Sequence, residues 1–190
     1  MKKMDLTETT VTSETVFKGV LLHVKRDTAR LPDGRTAPRE YIIHPGAVAM
    51  VALLDSGEVV LERQFRYPAR REFIEIPAGK IDPDEDPLET GRRELREETG
   101  YAAREWTYLT TIHPGIGYTN ERILIYLARG LVQERAKLDE GEFLEVFSVP
   151  VATALDWVRE GRINDVKSMI GLFWLDKFLR GEWSPPADPG

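Results

Sequence analysis

The chain has 190 residues, 42% hydrophobic, 31% charged and 9% aromatic, with a formal net charge of −6 and no cysteine. That length suits one domain with a substantial core, and the composition excludes a disordered or fibrous chain. The acidic balance sets aside a general nucleic-acid binder, and the lack of cysteine excludes disulfides, thiolate metal ligands and a thiol nucleophile, which suits a reducing cytoplasm.

In chain order, residues 16–29 and 36–43 read as strands around a turn at Leu31-Pro32-Asp33-Gly34. Residues 47–54, AVAMVALL, are apolar throughout, as in a strand buried on both faces. Asp55-Ser56-Gly57 turns the chain into a strand over 58–65, and a short strand over 73–76 stops at Pro77. Residues 86–99 predict a helix, with Asp86 as its N-cap, Pro87 in first position and Glu89 completing a capping box. Gly100 supplies its left-handed stop. Strands follow at 106–112, 123–128 and 143–147, then helices at 151–159 and 163–179, the last with an apolar face of Met169, Leu172, Phe173, Leu175 and Leu179. No apolar run reaches the ~18 residues of a membrane helix, and MKKMDLTETT lacks the apolar core of a signal peptide. An α+β fold is expected, a mixed sheet covered by helices. Residues 1–45 are read as a small antiparallel β extension, 46–183 as the main domain and 184–190 as a flexible tail.

On a wheel of ~100° per residue, Glu94, Glu97 and Glu98 form one narrow stripe beside Leu88, Gly91 and Leu95, with Arg92, Arg93 and Arg96 on the far arc. Like charges four residues apart cost roughly 0.2–0.5 kcal/mol in an isolated helix. Glu89 and Arg93 have the order that suits an i,i+4 pair. The residues alone admit two readings: a salt-bridged solvent face, or carboxylates grouped around a hard cation such as Mg²⁺ or Mn²⁺.

The stripe sits in GKIDPDEDPLETGRRELREETGY, residues 79–101, which resembles the Nudix box, G-x5-E-x7-R-E-U-x-E-E-x-G-U with U a bulky apolar residue. Its one departure is Tyr101, where an aliphatic residue is usual. The resemblance implies a loop–helix–loop in an α/β/α sandwich that holds two or more Mg²⁺ (or Mn²⁺) ions against a pyrophosphate. By it Glu94 and Glu98 are the principal ligands and Glu97 assists in ligation and catalysis. The Ala78 carbonyl also contributes, while Glu85 pairs with Arg93 and reaches metal through water. Gly79, Arg93 and Gly100 are structural in that reading.

Outside the box the sequence is similar to the ADP-ribose pyrophosphatase and nucleotide-sugar hydrolase branch. EIPAG at 75–79 leads into the box as it does there, and HPGIGY at 113–118 resembles the branch's proline-bearing loop, with a longer spacing from Pro114 to Glu121. The β-rich extension is similar to one used there for dimerisation and for part of the substrate pocket. The resemblance implies substrate contacts at Arg39, Arg66, Glu75, Pro114 and Tyr118, arginine being suited to bidentate phosphate binding. Tyr67 or Tyr118 could stack on a nucleobase. In that branch a glutamate on a loop beyond the box takes the proton of the attacking water. LDEGEF at 138–143 lies in the matching place, which favours Glu140, with Glu142 the second choice.

His23, His44 and His113 form no metal-binding pair, and no P-loop or serine-nucleophile motif appears. The expectation is a cytoplasmic, homodimeric, Mg²⁺-dependent hydrolase that cleaves ADP-ribose to AMP and ribose 5-phosphate, without nucleic acid or membrane partners. A broader nucleoside diphosphate sugar hydrolase, acting for example on GDP-mannose, is the alternative. A non-catalytic nucleotide-binding Nudix sensor is the alternative of another class.

Overall fold

The computed structural model describes residues 4–138, 141 and 143–188. The chain divides into two compact units, one made of the residues up to Pro45 with Gly115–Glu121, the other of Gly46–Pro114 with the residues from Arg122 onward.

The first unit is an antiparallel sheet of β1 (Thr9–Lys18), β2 (His23–Arg30) and β3 (Thr36–Ile43), in that order. A strand starting at Val16 was expected, but the β-branched run TTVTSET is extended from Thr9 onward. The single run expected over 16–29 is also interrupted, because Gly19 N–H donates to the Leu22 carbonyl at 2.8 Å and reverses the chain. Segment 115–121 joins this unit through Ile42 N–H, which donates to the Tyr118 carbonyl at 2.8 Å, and His44 N–H, which donates to Asn120 Oδ1 at 2.7 Å.

The second unit is built around β4 (Ala47–Ala52). It is inner to a mixed sheet of order β7-β4-β9-β8, with β7 Ala78–Lys80, β8 Tyr101–Ile112 and β9 Ile123–Gln133. β4 and β9 run parallel and the other neighbours antiparallel. Successive strand residues point to opposite faces, so β4 and β9 feed two cores. Ala49, Val51, Ile125 and Leu127 pack in one cluster with Leu172 and Leu175 of α3 (Val166–Leu179) and Ala154 of α2 (Val151–Arg159). Val48, Met50, Leu124 and Tyr126 pack in the other with Leu95 of α1 (Pro87–Thr99). That division is why AVAMVA has no polar face, and it gives the helix–sheet–helix layering of an α+β sandwich. A second sheet, antiparallel, has order β10-β5-β6, with β5 Glu58–Arg66, β6 Arg71–Glu75 and β10 Leu144–Pro150.

The last helix starts later than 163. Asp165 is its N-cap, its carboxylate accepting from Ser168 N–H at 3.0 Å. Of its expected apolar face Leu172 and Leu175 are buried, whereas Phe173 and Leu179 are exposed. Within 184–190, Asp188 Oδ1 accepts from the Tyr126 hydroxyl at 3.3 Å, a tie that the reading of this segment as a flexible tail did not foresee. Among the described residues no helix is long and apolar enough to cross a membrane.

Candidate active site

The geometry of α1 begins with its cap. Asp86 Oδ1 accepts from Leu88 N–H at 2.9 Å and Glu89 N–H at 3.2 Å, which satisfies two of the donors a helix start leaves open. The expected capping box is one-sided, since Glu89 accepts from Arg92 at 2.6 Å and not from Asp86 N–H. Gly100 closes the helix at φ 72°, in the left-handed region, and donates to the Arg96 carbonyl.

In the loop before the helix, Glu85 accepts from Arg93 Nε at 3.0 Å, from Arg93 Nη2 at 2.9 Å and from the Thr90 hydroxyl at 2.7 Å. The Arg93 hydrogen bonds, reinforced by Thr90 and opposed by partial burial, hold the Glu85 carboxyl down at about 2. The wheel set Arg93 apart from the glutamates and suggested Glu89 as its partner. Instead Arg93 Nη1 donates to Glu94 Oε1 at 2.9 Å and Glu97 Oε2 at 3.1 Å, because at ~100° per residue Arg93 lies only about 40° from Glu97, its i,i+4 neighbour on the same face. One guanidinium therefore spans three carboxylates, Glu85, Glu94 and Glu97.

Glu98 is only 4% exposed, and its Oε2 accepts from Ala78 N–H at 3.1 Å. Ala78 is held in turn by β4, where it pairs with Ala49. Gly79 lies directly under Glu94: a Cβ at 79 would fall 1.9 Å from Glu94 Cδ and 2.1 Å from Oε1. Only glycine leaves room for that carboxylate against the backbone. The stripe thus rests on β7, with Ala78 and Gly79 as its floor.

The donors fit a magnesium ion in kind. They are hard oxygens from Glu94, Glu97 and Glu98, beside the Ala78 backbone, seated over a cradle that a single methyl would fill. Among the described residues no three acidic or histidine side chains close on one point as a ready cage. Mg²⁺ does not require one, since it is bound through one or two carboxylates, its own waters and substrate phosphates.

Arg66 and Glu75 also come together. The guanidinium donates through Nε to Glu75 Oε1 and through Nη2 to Oε2, both at 2.7 Å. Expected as a substrate contact, Glu75 is 3% exposed, and its Oε2 also accepts from Lys167 Nζ, so its carboxylate is committed to protein cations. Burial pushes this carboxyl up, but the Arg66 hydrogen bonds and the charge of Lys167 outweigh it, leaving Glu75 below the usual range. Pro114 is exposed at the start of the loop that follows β8. Tyr67 is exposed with Arg70 over its ring at 3.6 Å. Arg39 and Tyr118 belong to the first unit, where Arg39 is forked on Glu8 at 2.8 and 2.6 Å and Tyr118 is exposed.

Glu140 and Glu142 lie outside the described residues. The chain approaches them beside α1, since Lys137 N–H donates to the Glu97 carbonyl at 3.0 Å.

The family model of the NUDIX domain matches residues 43–168, and that of the nucleoside diphosphate sugar hydrolase N-terminal domain matches residues 8–42. The chain belongs to the Nudix family. This Nudix protein is similar to the ADP-ribose pyrophosphatase of Bacillus subtilis (strain 168), with 38% identity over 90% of this chain and 93% of the relative. It is equally similar to the methanol dehydrogenase activator of Bacillus methanolicus, 38% identical over 88% of this chain and 92% of the relative. A solved structure of an ADP compounds hydrolase superposes with a TM-score of 0.85 at 26% identity, covering 96% of this chain and 98% of the other.

Four residues that build the surroundings of this Nudix site were not singled out in the sequence. Thr90 orients Glu85, while Asp165, Lys167 and Ser168 tie the start of α3 to β6 and to Ile76, whose N–H donates to Ser168 Oγ at 2.9 Å. The available signal for three of them was a lysine and a serine in the otherwise apolar helix VKSMIGLFWL, directly after an aspartate cap.

Proposed function

We propose that this Nudix hydrolase cleaves the pyrophosphate bond of ADP-ribose, giving AMP and ribose 5-phosphate. The observation that carries the chemistry is the carboxylate stripe seated on Ala78 and Gly79 and braced by Arg93. The choice of substrate draws on the similarity, over nine tenths of the chain, to an ADP-ribose pyrophosphatase. In this reading Glu94, Glu97, Glu98 and the Ala78 carbonyl hold two or more Mg²⁺ ions, Mn²⁺ serving as a substitute, with Glu85 reaching metal through water. Bound metal supplies Lewis acidity at the phosphates and lowers the pKa of an attacking water.

The protein's own groups do the rest. Arg93 keeps the three glutamates around it from splaying. Arg66 offers a guanidinium edge to a phosphate oxygen. Glu140, with Glu142 as the alternative, takes the proton of the attacking water; the hydrogen bond from Lys137 N–H to the Glu97 carbonyl supports a base from the segment that follows. We further propose a cytoplasmic homodimer joined through residues 1–45, in keeping with the exposed Val11, Val16 and Phe17 of β1. A second reading, a broader nucleoside diphosphate sugar hydrolase, is favoured by the N-terminal model match at residues 8–42.

The test is product analysis with Mg²⁺, offering ADP-ribose, GDP-mannose, UDP-glucose and NADH in parallel. AMP formed from ADP-ribose at much the highest kcat/KM is expected. Comparable rates on several sugars would replace this reading with the broader hydrolase. Nucleotide binding without turnover of any of them would leave a sensor.

A further inference from the structure

Arg66 stands at the outer end of a buried chain of charges. Glu75, which holds it, lies in register opposite Glu62 on β5, and Glu62 is completely buried. Facing residues on neighbouring antiparallel strands have their side chains about 5 Å apart, so the sheet places two carboxylates side by side in its interior. Behind Glu75 stands Lys167, 6% exposed, whose Nζ donates to Glu75 Oε2 and also to Asp165 Oδ2 at 3.0 Å. Asp165 caps α3 and accepts from Ser168 Oγ at 2.6 Å, and Ser168 Oγ accepts from Ile76 N–H. The lysine is thus anchored on both sides, with no freedom to leave the carboxylate.

A guanidinium has five N–H donors in a fixed fork. Arg66 uses Nε and Nη2 on Glu75, and among the described residues its Nη1 takes no protein acceptor. Its side chain is 42% exposed, so this edge faces outward. An arginine that was the sole cation on the buried Glu75 would be drawn inward to satisfy it, and its charge would be cancelled before any ligand arrived. Lys167 removes that demand from within.

We infer that Lys167 is a positioning residue for the substrate's phosphate: it occupies Glu75 from the interior, so that Arg66 docks through Nε and Nη2 and keeps Nη1 for a phosphate oxygen. The inference rests on the proposed function and adds a residue on α3, remote in sequence from the Nudix box, to the binding of the pyrophosphate substrate.

The experiment compares wild type with Lys167→Met, Lys167→Arg, Arg66→Met and the double variant Arg66→Met/Lys167→Met. It measures kcat and KM for ADP-ribose with Mg²⁺, and Kd for ADP-ribose by calorimetry without divalent metal. Lys167→Met is expected to raise KM and Kd about tenfold with kcat within about twofold, the pattern of lost ground-state binding. Lys167→Arg is expected to restore much of the loss. The double variant should bind no more weakly than Arg66→Met, because the lysine acts through the arginine. Should Lys167→Met fail to fold, Lys167→Gln keeps a hydrogen-bond donor and should show a smaller rise with the same dependence on Arg66.

A variant with unchanged KM and Kd, or losses that simply add in the double variant, overturns the role of Lys167 while wild-type turnover upholds the function. Wild-type binding without turnover, with the Lys167 effect on Kd intact, overturns the function alone. No wild-type binding overturns both.

Discussion

Arg93 decides how the carboxylate stripe exists at all. Glutamates four residues apart repel on a bare helix, and a single guanidinium in contact with Glu85, Glu94 and Glu97 relieves much of that repulsion within the protein. Glu98 is held differently, buried and bonded to Ala78 N–H. Glu98→Gln keeps an acceptor for that bond but loses the charge, so kcat is expected to fall by at least about a hundredfold with an unchanged circular dichroism spectrum. An unimpaired variant would remove Glu98 from the metal site. The acid limb of stability gives a second test. Glu85 titrates at about 2 in the folded protein, below its ordinary value of 4.5. A carboxylate depressed on folding contributes stability that is complete above the unfolded value and is lost as pH falls toward the folded one. Between pH 4.5 and 2 wild type should lose that contribution, and Glu75, depressed in the same direction, adds to the loss. Arg93→Gln should lower Tm at neutral pH and make the acid decline shallower, read from melts across that range; parallel curves for the two proteins would refute the pairing.

At the level of the element, β7 and α1 act as a pair, one supplying the floor and the other the carboxylate stripe. Gly79→Ala puts a methyl where the Glu94 carboxylate lies. The end of Glu94 is flexible and can move, so the expected result is a loss of Tm of only a few degrees with turnover reduced at least about tenfold. Retained activity would show that Glu94 works from elsewhere. Elements of this kind were legible in the sequence because their signals are local. Asp86, Pro87 and Gly100 mark α1 within a few residues of its ends, and AVAMVA announces a strand buried on both sides. β1 was mislaid because a threonine-rich run with an exposed pattern carries no hydrophobic alternation, only β-branched propensity. The Arg66–Glu75–Lys167 group was hidden for a different reason. Lys167 is 92 positions from Glu75, and no short-range pattern reports a pairing made by tertiary packing. Arg93 was misplaced on the far arc because its i,i+4 relation to Glu97, about 40° away at ~100° per residue, was passed over in favour of the pair with Glu89.

The molecule as a whole presents an uneven surface. β1 is exposed along its length and carries Val11, Val16 and Phe17 uncovered, with Val20, Leu21 and Leu22 in the turn that follows. Large apolar side chains exposed at several positions of one short segment suit an interaction surface, in keeping with the proposed homodimer. Light scattering coupled to size exclusion should therefore give twice the 21.6 kDa of the chain, and Val16→Lys with Phe17→Lys should shift it to the monomer. A wild-type chain that is already monomeric would place the contact surface in doubt.

The parallel pairing of β4 with β9 has a kinetic side. Ala47 lies beside Ile123, so the central strands meet only after most of the chain has been made and brought into place. Contacts that distant slow folding, since loop-closure entropy is lost before they form. Until then AVAMVA, six residues without charge or proline, stands open on both edges and both faces. Such a segment is a template for self-association. The strand that becomes the most protected part of the finished enzyme is, during synthesis or refolding, its chief aggregation hazard, and yield on refolding should fall steeply with protein concentration.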